Sequence, residues 1–254
     1  MQRLILLMLT HLLAQGNPAD DEEAIRNLII RSNDKIEQVQ AKQLCRFKSS
    51  SENITNVCFK KRTSTLESKS FINSYQHTIA VSVLSPDEAQ QLFDHLSGQK
   101  HRFGLGNELV ELRTCAARAQ LIAHALQEDC RVNSVKVFAL PSSSYFSDGL
   151  NVESHQKKYH WDSFHIANAV MVSDKGVSKW YVIDPLLFDH AVPKEDWENL
   201  FKTKDKSVII EIASPSRYAP MSSFKDDPNQ PIATQKAEDD LRRARRDARI
   251  LNGP

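Results

Sequence analysis

The sequence has almost no net charge: 33 Lys and Arg against 32 Asp and Glu leave +1. That balance gives no global case for nucleic acid or an acidic partner. No apolar run is long enough to span a membrane. The glycines in RFGLGNELVELR (Arg102 to Arg113) lack the later glycine, lysine and hydroxyl of a phosphate loop. The four cysteines and nine histidines show no CxxC or other zinc-like spacing, so no metal or cofactor is expected. There is no internal repeat. What is there is an ordinary globular mix, 41% apolar and 26% charged, in a chain long enough for one large domain or two small ones.

The chain opens MQRLILLMLTHLLAQGNPA: one basic residue (Arg3), an apolar stretch from Leu4 to Ala14, then Gly16, Pro18 and Ala19. That is the layout of a secretory signal peptide over residues 1–19 and predicts a secreted or periplasmic protein. The alternative is an amphipathic N-terminal helix of a cytosolic protein; His11 interrupts the run and the basic region is thin. An oxidising compartment makes the even cysteine count a disulfide signal. Cys45 and Cys58 flank the polar loop KSSSENITN and are the expected pair. Cys115 and Cys130, near opposite ends of one expected helix, would lie about 20 Å apart and cannot bridge each other. In a reducing compartment no pairing follows.

Asp20 to Cys45 reads as a helix, with acids in its first turn and Ile25, Leu28, Ile29, Ile36 and Val39 at helical spacing. Residues 46–74 read as a loop, and 20–75 as an N-terminal segment that is either a pro-region or cap or an ordinary subdomain. A strand is expected at His77 to Ser85 and a well-punctuated helix follows, with Ser85 as N-cap, Pro86 at its first position and Gly98 at its end. The glycine-containing connection above leads to a helix from Cys115 to about Gln127, whose buried stripe is Cys115, Ala119, Ile122, Ala123 and Leu126. Strands are expected at SVKVFAL, SFHIANAVMV, VSKWYVIDP and KSVIIEIA, with a polar loop after Pro141 and a short helix at KEDWENLF. The expected limits are 76–220 for the main domain and 221–254 for a charged tail. That tail ends in KAEDDLRRARRDARI, with six basic and four acidic residues, and reads as a solvated helix.

Three residues carry chemistry. Cys115 opens a helix behind Thr114, the expected cap, and a helix N-terminus favours the thiolate that a nucleophile needs. Taken alone, such a cysteine is more often a small core residue. His165 sits in one strand and Asp184 ends the next, each with an ordinary reading as strand or turn residue. Geometry links them. If SDKG closes a hairpin with Ser173 facing Gly176, cross-strand partners sum to 349, and His165 faces Asp184 about 5 Å away on one side of the sheet. A three-residue loop would split the pair between faces. Together these residues give a Cys-His-Asp arrangement for acyl transfer: Cys115 as nucleophile, His165 as general base and acid, and Asp184 orienting His165. The expected fold class is α+β, a papain/transglutaminase-like core with the nucleophile helix packed on an antiparallel sheet.

CAARAQLIAHAL, SFHIANAVMV and WYVIDPLLF, in that order, resemble the motifs of the bacterial protein-glutaminase (protein-glutamine deamidase) family. In that family a Cys followed by A-R-A opens the helix, an H-[VI]-A strand carries the histidine and an I-D-P-x-L-F segment carries the aspartate. VSVLSPDEAQQLFDHL also resembles its strand and helix before the nucleophile. The resemblance covers about Thr78 to Phe201. The chain departs from the pattern in Gly104 to Thr114 and in a long loop between Pro141 and Tyr159, two segments placed to line the cleft. The resemblance implies hydrolysis of a glutamine side-chain amide in a protein or peptide substrate to glutamate and ammonia, through a cysteinyl thioester. The Cys115 backbone N–H is the natural oxyanion donor. A second donor is not readable: the Trp161 indole is a candidate, against a packing role, and Arg118 reads as structural. The alternatives are a transglutaminase-type acyltransferase, a cysteine protease, or a non-catalytic binding module.

Overall fold

The β-branched run that begins at His165 becomes the strand around which the protein is organised. A computed structural model describes residues 58–59, 66–141, 149–202, 208–219 and 231–252. The expected signal peptide, the helix at 20–45 and Cys45 lie outside these residues. In chain order the elements are β1 (Glu67–Ile72), β2 (Thr78–Leu84), α1 (Pro86–Ser97), α2 (Glu108–Arg113), α3 (Cys115–Glu128), β3 (Val135–Pro141), β4 (Leu150–Ser154) and β5 (Lys157–Trp161). There follow β6 (His165–Asp174), β7 (Val177–Ile183), β8 (Val192–Pro193), α4 (Lys194–Phe201), β9 (Val208–Ala213) and α5 (Gln235–Asn252).

Strand β6 has three partners. β7 runs along one edge from Asn168 to Asp174. The other edge is shared: β3 pairs with residues 165–169 and β2 with Met171 and Val172. β1 extends the sheet beyond β2, and β9 beyond β3. Every pairing is antiparallel except β2 with β6. Strands of this sheet read as near-continuous apolar runs where both faces are covered, as in IANAV of β6. The fold is α+β, with helix α3 packed against β6 and β3.

Local signals place the elements well. Helix α1 has a full capping box: Ser85 accepts from the Glu88 N–H, and the Glu88 carboxylate accepts from the Ser85 N–H at 2.8 Å. Helix α3 is alanine-rich, with no glycine or proline to interrupt it. It is buried nearly all round, not along one stripe, because the sheet covers one side and α5 the other.

Four expectations are corrected. The stretch read as loop at 46–74 contains β1, hydrogen-bonded to β2 from Glu67↔Val83 to Ile72↔Thr78. The connection before Cys115 contains the helix α2, capped by Asn107, which accepts from the Val110 N–H. The loop after Pro141 contains the hairpin β4–β5. Its turn takes positive φ at His155 and Gln156 (51° and 62°), and without a glycine there the sequence carries no hairpin mark. The charged tail is not solvated all round: Ala237, Leu241, Ala244 and Ala248 are buried, and α5 packs on α2 and α3.

The disulfide expectation is also corrected. Cys58 pairs with Cys130 across 72 residues, with Cα atoms 5.3 Å apart. Sequence neighbours are easy to pair on paper, but a bridge needs Cα atoms in this range. The chain just past α3 provides it, and Cys58 and Cys130 are both buried. Cys115 is the free cysteine among the described residues. Closing a loop this long contributes about 4 kcal/mol by the chain-entropy model. Cys130→Ala is therefore expected to lower unfolding stability by roughly that amount in denaturant titrations, with Cys58→Ala giving the same loss.

Candidate active site

Cys115 is the first residue of α3 and 8% exposed. Its thiol donates to the Phe164 carbonyl at 3.9 Å, next to the start of β6. Thr114 does not cap the helix. Its hydroxyl donates back to the Val110 carbonyl of α2 at 2.6 Å, so a single residue ends one helix and precedes the next. With no side-chain cap, the N–H groups of the first turn stay free of the usual oxygen partner. Burial pushes the thiol up to about 11, against the Arg118 charge and the Ala116 and Cys115 N–H groups, which pull it down. The expected helix-terminus activation is present but loses to desolvation.

The hairpin that carries the other two groups closes one residue later than SDKG suggests. Asp174 faces Val177, and the two turn residues are Lys175 (φ 49°) and Gly176 (φ 82°). Positive φ at both positions makes a primed turn, and Gly176 takes it without strain. Partners therefore sum to 351, not 349. A slip of two residues keeps every side chain on its own face, whereas a slip of one would have reversed them. By that register Asp184, just past β7, comes level with Ala167 and lies diagonal to His165. The side chains meet: His165 Nε2 and Asp184 Oδ2 are 2.8 Å apart.

Both groups are out of water, His165 fully buried and Asp184 3% exposed. Asp184 Oδ2 also accepts from the Trp197 indole at 2.9 Å, and Oδ1 accepts from the Leu186 N–H at 3.3 Å. Burial alone would raise the Asp184 carboxyl. The attraction of His165, the two side-chain hydrogen bonds and Arg118 outweigh it and hold the group below the ordinary carboxylate range. Trp197 is a site residue that the sequence did not mark, because a tryptophan in a short amphipathic helix looks like any other core aromatic.

An aromatic wall surrounds His165. The Trp161 ring centroid lies 4.1 Å away, Phe201 5.7 Å and Trp197 6.1 Å. Gly149 allows Trp161 to stand there: at φ 55°, a Cβ would meet the Trp161 carbonyl at 2.3 Å. Two nitrogens in this wall are buried without a partner, His165 Nδ1 and Trp161 Nε1. A buried donor or acceptor left unpaired costs about 1–3 kcal/mol, so the Nδ1 acceptor and the Nε1–H donor are groups suited to meeting a ligand. Arg118, 3% exposed, donates to the Phe103 carbonyl, the Glu111 carbonyl and the Thr114 hydroxyl at 3.2, 2.8 and 3.4 Å. It ties the segment before the nucleophile to α3. Among the described residues, metal-ligand spacing occurs at Cys58, His95 and Cys130, where two of the three sulfur and nitrogen donors are joined in the disulfide.

The protein thus combines a buried thiol at a helix N-terminus with a buried histidine held by an aspartate, the histidine opening the strand against which that helix packs. Residues 89–201 match the model of a family described as glutaminase, a span that contains Cys115, His165 and Asp184 and less than half of the chain. Two solved structures are similar. One is protein-glutaminase from Chryseobacterium proteolyticum, 21% identical, covering 58% of this chain and 82% of that one, with TM-score 0.46. The other is a pro-protein-glutaminase, 20% identical, covering 62% of this chain, with TM-score 0.43; this chain spans 59% of its length. No curated protein matches. No helix among the described residues is long and apolar enough to cross a membrane.

With burial pushing it up to about 11, the Cys115 sulfur rests as the neutral thiol at neutral pH. Iodoacetamide labelling of Cys115 in the unliganded protein, followed by peptide mass, is expected to be slow at neutral pH and to accelerate steadily with alkalinity. A rate already at its plateau in mild acid would mean a resting ion pair with His165 instead.

Proposed function

We propose that the protein is a protein-glutamine deamidase that uses Cys115, His165 and Asp184. The observation that carries this reading is the state of the buried imidazole. Asp184 occupies Nε2, so Nδ1 is the nitrogen left to exchange a proton. The glutaminase family match supports glutamine as the substrate side chain.

The Cys115 sulfur attacks the γ-carboxamide carbon of the substrate glutamine while His165 Nδ1 takes the thiol proton. A resting neutral thiol suits this order, since the base removes the proton as the S–C bond forms. The oxyanion is held by the Cys115 N–H, with Trp161 Nε1–H as the second donor. The C–N bond breaks, and ammonia leaves with the proton returned by His165. Water, deprotonated by the same nitrogen, then cleaves the thioester and releases glutamate. Asp184 fixes the ring so that Nδ1 points to the reaction, and it stabilises the transient imidazolium.

The reading includes export, with residues 1–19 as signal peptide. The Cys58–Cys130 disulfide supports it, because such bonds persist in oxidising compartments. Residues 20–75 are then either a pro-region or cap, or an ordinary N-terminal subdomain. Activity of the full chain against a chain lacking that segment separates the two.

A glutamine-containing peptide is expected to release ammonia and gain about one mass unit with the wild type and not with Cys115→Ala. No ammonia from any peptide or protein pool would remove the deamidase reading. Adding a primary amine distinguishes hydrolysis from transfer by product mass, and backbone fragments would indicate proteolysis. Trp161→Phe keeps the ring and removes the donor, and is expected to lower kcat about 10²- to 10³-fold with little change in KM.

A further inference from the structure

The closing helix α5 is spent on more than packing. Its apolar side is buried against α2 and α3, and its basic side borders a groove of about 640 Å³. Arg242, Arg245, Arg246 and Arg249 line it from α5, Arg102 from the turn after α1, and His124 from α3. Glu238 is the one acidic residue among the lining side chains. Five arginines stand against one glutamate in the lining, and Asp129, Asp239 and Asp247 pair with Arg102, Arg242 and Arg246, so that Arg245 and Arg249 are the lining arginines without an ion pair among the described residues. The floor is apolar, formed by Leu121 and Leu241, and Ile250 at the rim is 72% exposed.

Two of the five arginines are held in place: Arg102 donates to Asp129 at 2.5 Å and to Gln99 at 2.9 Å, and Arg245 donates to the His101 carbonyl; the others are held loosely or not at all. Arg242 and Arg246 side chains are 74% and 71% exposed, and their partners are the neighbouring Asp239 at 3.3 Å and Asp247 at 3.8 Å. Exposed pairs of this kind hold by less than about 1 kcal/mol, so an incoming carboxylate can replace them. Arg249 has no ion pair or hydrogen bond among the described residues. The guanidinium fork matches a carboxylate in two-point contact, which an ammonium does not.

We propose that this groove binds an acidic, partly apolar segment of polypeptide on the protein substrate, a site separate from the one that holds the glutamine. The proposal rests on the deamidase reading for its role, and on the groove alone for its ligand. Polypeptide fits better than nucleic acid, because a phosphate backbone has nothing to place on Leu121, Leu241 and Ile250. A membrane surface fits poorly because the apolar face of α5 is already covered. Leu121 and His124 follow Cys115 by six and nine residues on α3, about 9 and 14 Å along its axis. Going partly round the helix as well, a chain of about six extended residues joins the groove to the thiol.

The test uses the full chain and a fluorescent peptide of alternating Asp, Glu and Leu, with binding read by anisotropy. Arg246→Glu/Arg249→Glu is expected to weaken binding about ten-fold at low salt, and the difference should shrink as salt is raised. Arg243→Glu makes a like charge change on another side of the same helix, where Arg243 lines a different cavity with Ala116 and Tyr218, and should leave binding unchanged. Circular dichroism and Tm must match the wild type for each variant. In deamidation, the double variant should raise KM for a glutamine peptide carrying that acidic segment, leave its kcat alone, and change neither value for a short neutral peptide. Equal binding by wild type and double variant overturns the proposal. So does tighter binding of duplex DNA or of phosphatidylglycerol vesicles than of the peptide. If the peptide binds as expected but no substrate yields ammonia, the groove stands and the deamidase reading falls.

Discussion

One buried carboxylate sets the terms for the site. Asp184 sits past the end of β7, where the chain leaves the sheet, and it must find partners inside the protein because no water reaches it. It accepts from His165, from Trp197 and from the Leu186 backbone. Each of those contacts fixes a different piece: the first residue of β6, the middle of α4 and the turn after β7. Removing any one donor would leave charge under-compensated in a place of low dielectric. The imidazole is thus oriented by a small network, and the network is held in turn by the aromatic rings of α4 and β5 around it.

The thiol is placed by a different means. Helix α3 is gripped between sheet and α5, so its N-terminus has little freedom to shift. The same grip explains the neutral thiol. Packing that fixes the sulfur also strips it of solvent, and desolvation outweighs the first-turn amides and the Arg118 charge. Position and activation pull against each other at Cys115, and the protein settles in favour of position.

How much could be read beforehand depends on the range of the interactions involved. Strands and helices with local marks were legible: the Ser85–Glu88 capping box, the alanine-rich α3 and the β-branched β6. The pairing of His165 with Asp184 was legible through parity. The turn sits at Lys175–Gly176, not at Asp174–Lys175, yet a two-residue slip preserves the face. Features set by long-range packing were not legible. The Cys58–Cys130 bridge joins segments 72 residues apart. The β4–β5 turn puts positive φ on His155 and Gln156, residues without a turn signature. Trp197 reaches Asp184 only because α4 packs against β7. Helix α5 was misread for a related reason: three alanines and one leucine make a thin apolar side, and such a stripe buries only where a partner helix comes close.

Thr114 joins α2 to α3 with no loop between them, and Arg118 binds the carbonyls of Phe103 and Glu111 from the α3 side. The stretch GLGNELVELR is thereby tied directly onto helix α3. For an engineer this separates two tasks that are usually entangled. Side chains of α2 that face outward, such as the exposed Glu108, can be exchanged to change the surface beside α3, while the contacts that join the two helices stay untouched. The inward ones, Val110 and Glu111, must be kept, because the Val110 carbonyl accepts from Thr114 and the Glu111 carboxylate accepts from the Gly106 N–H, which fixes the segment leading to Cys115.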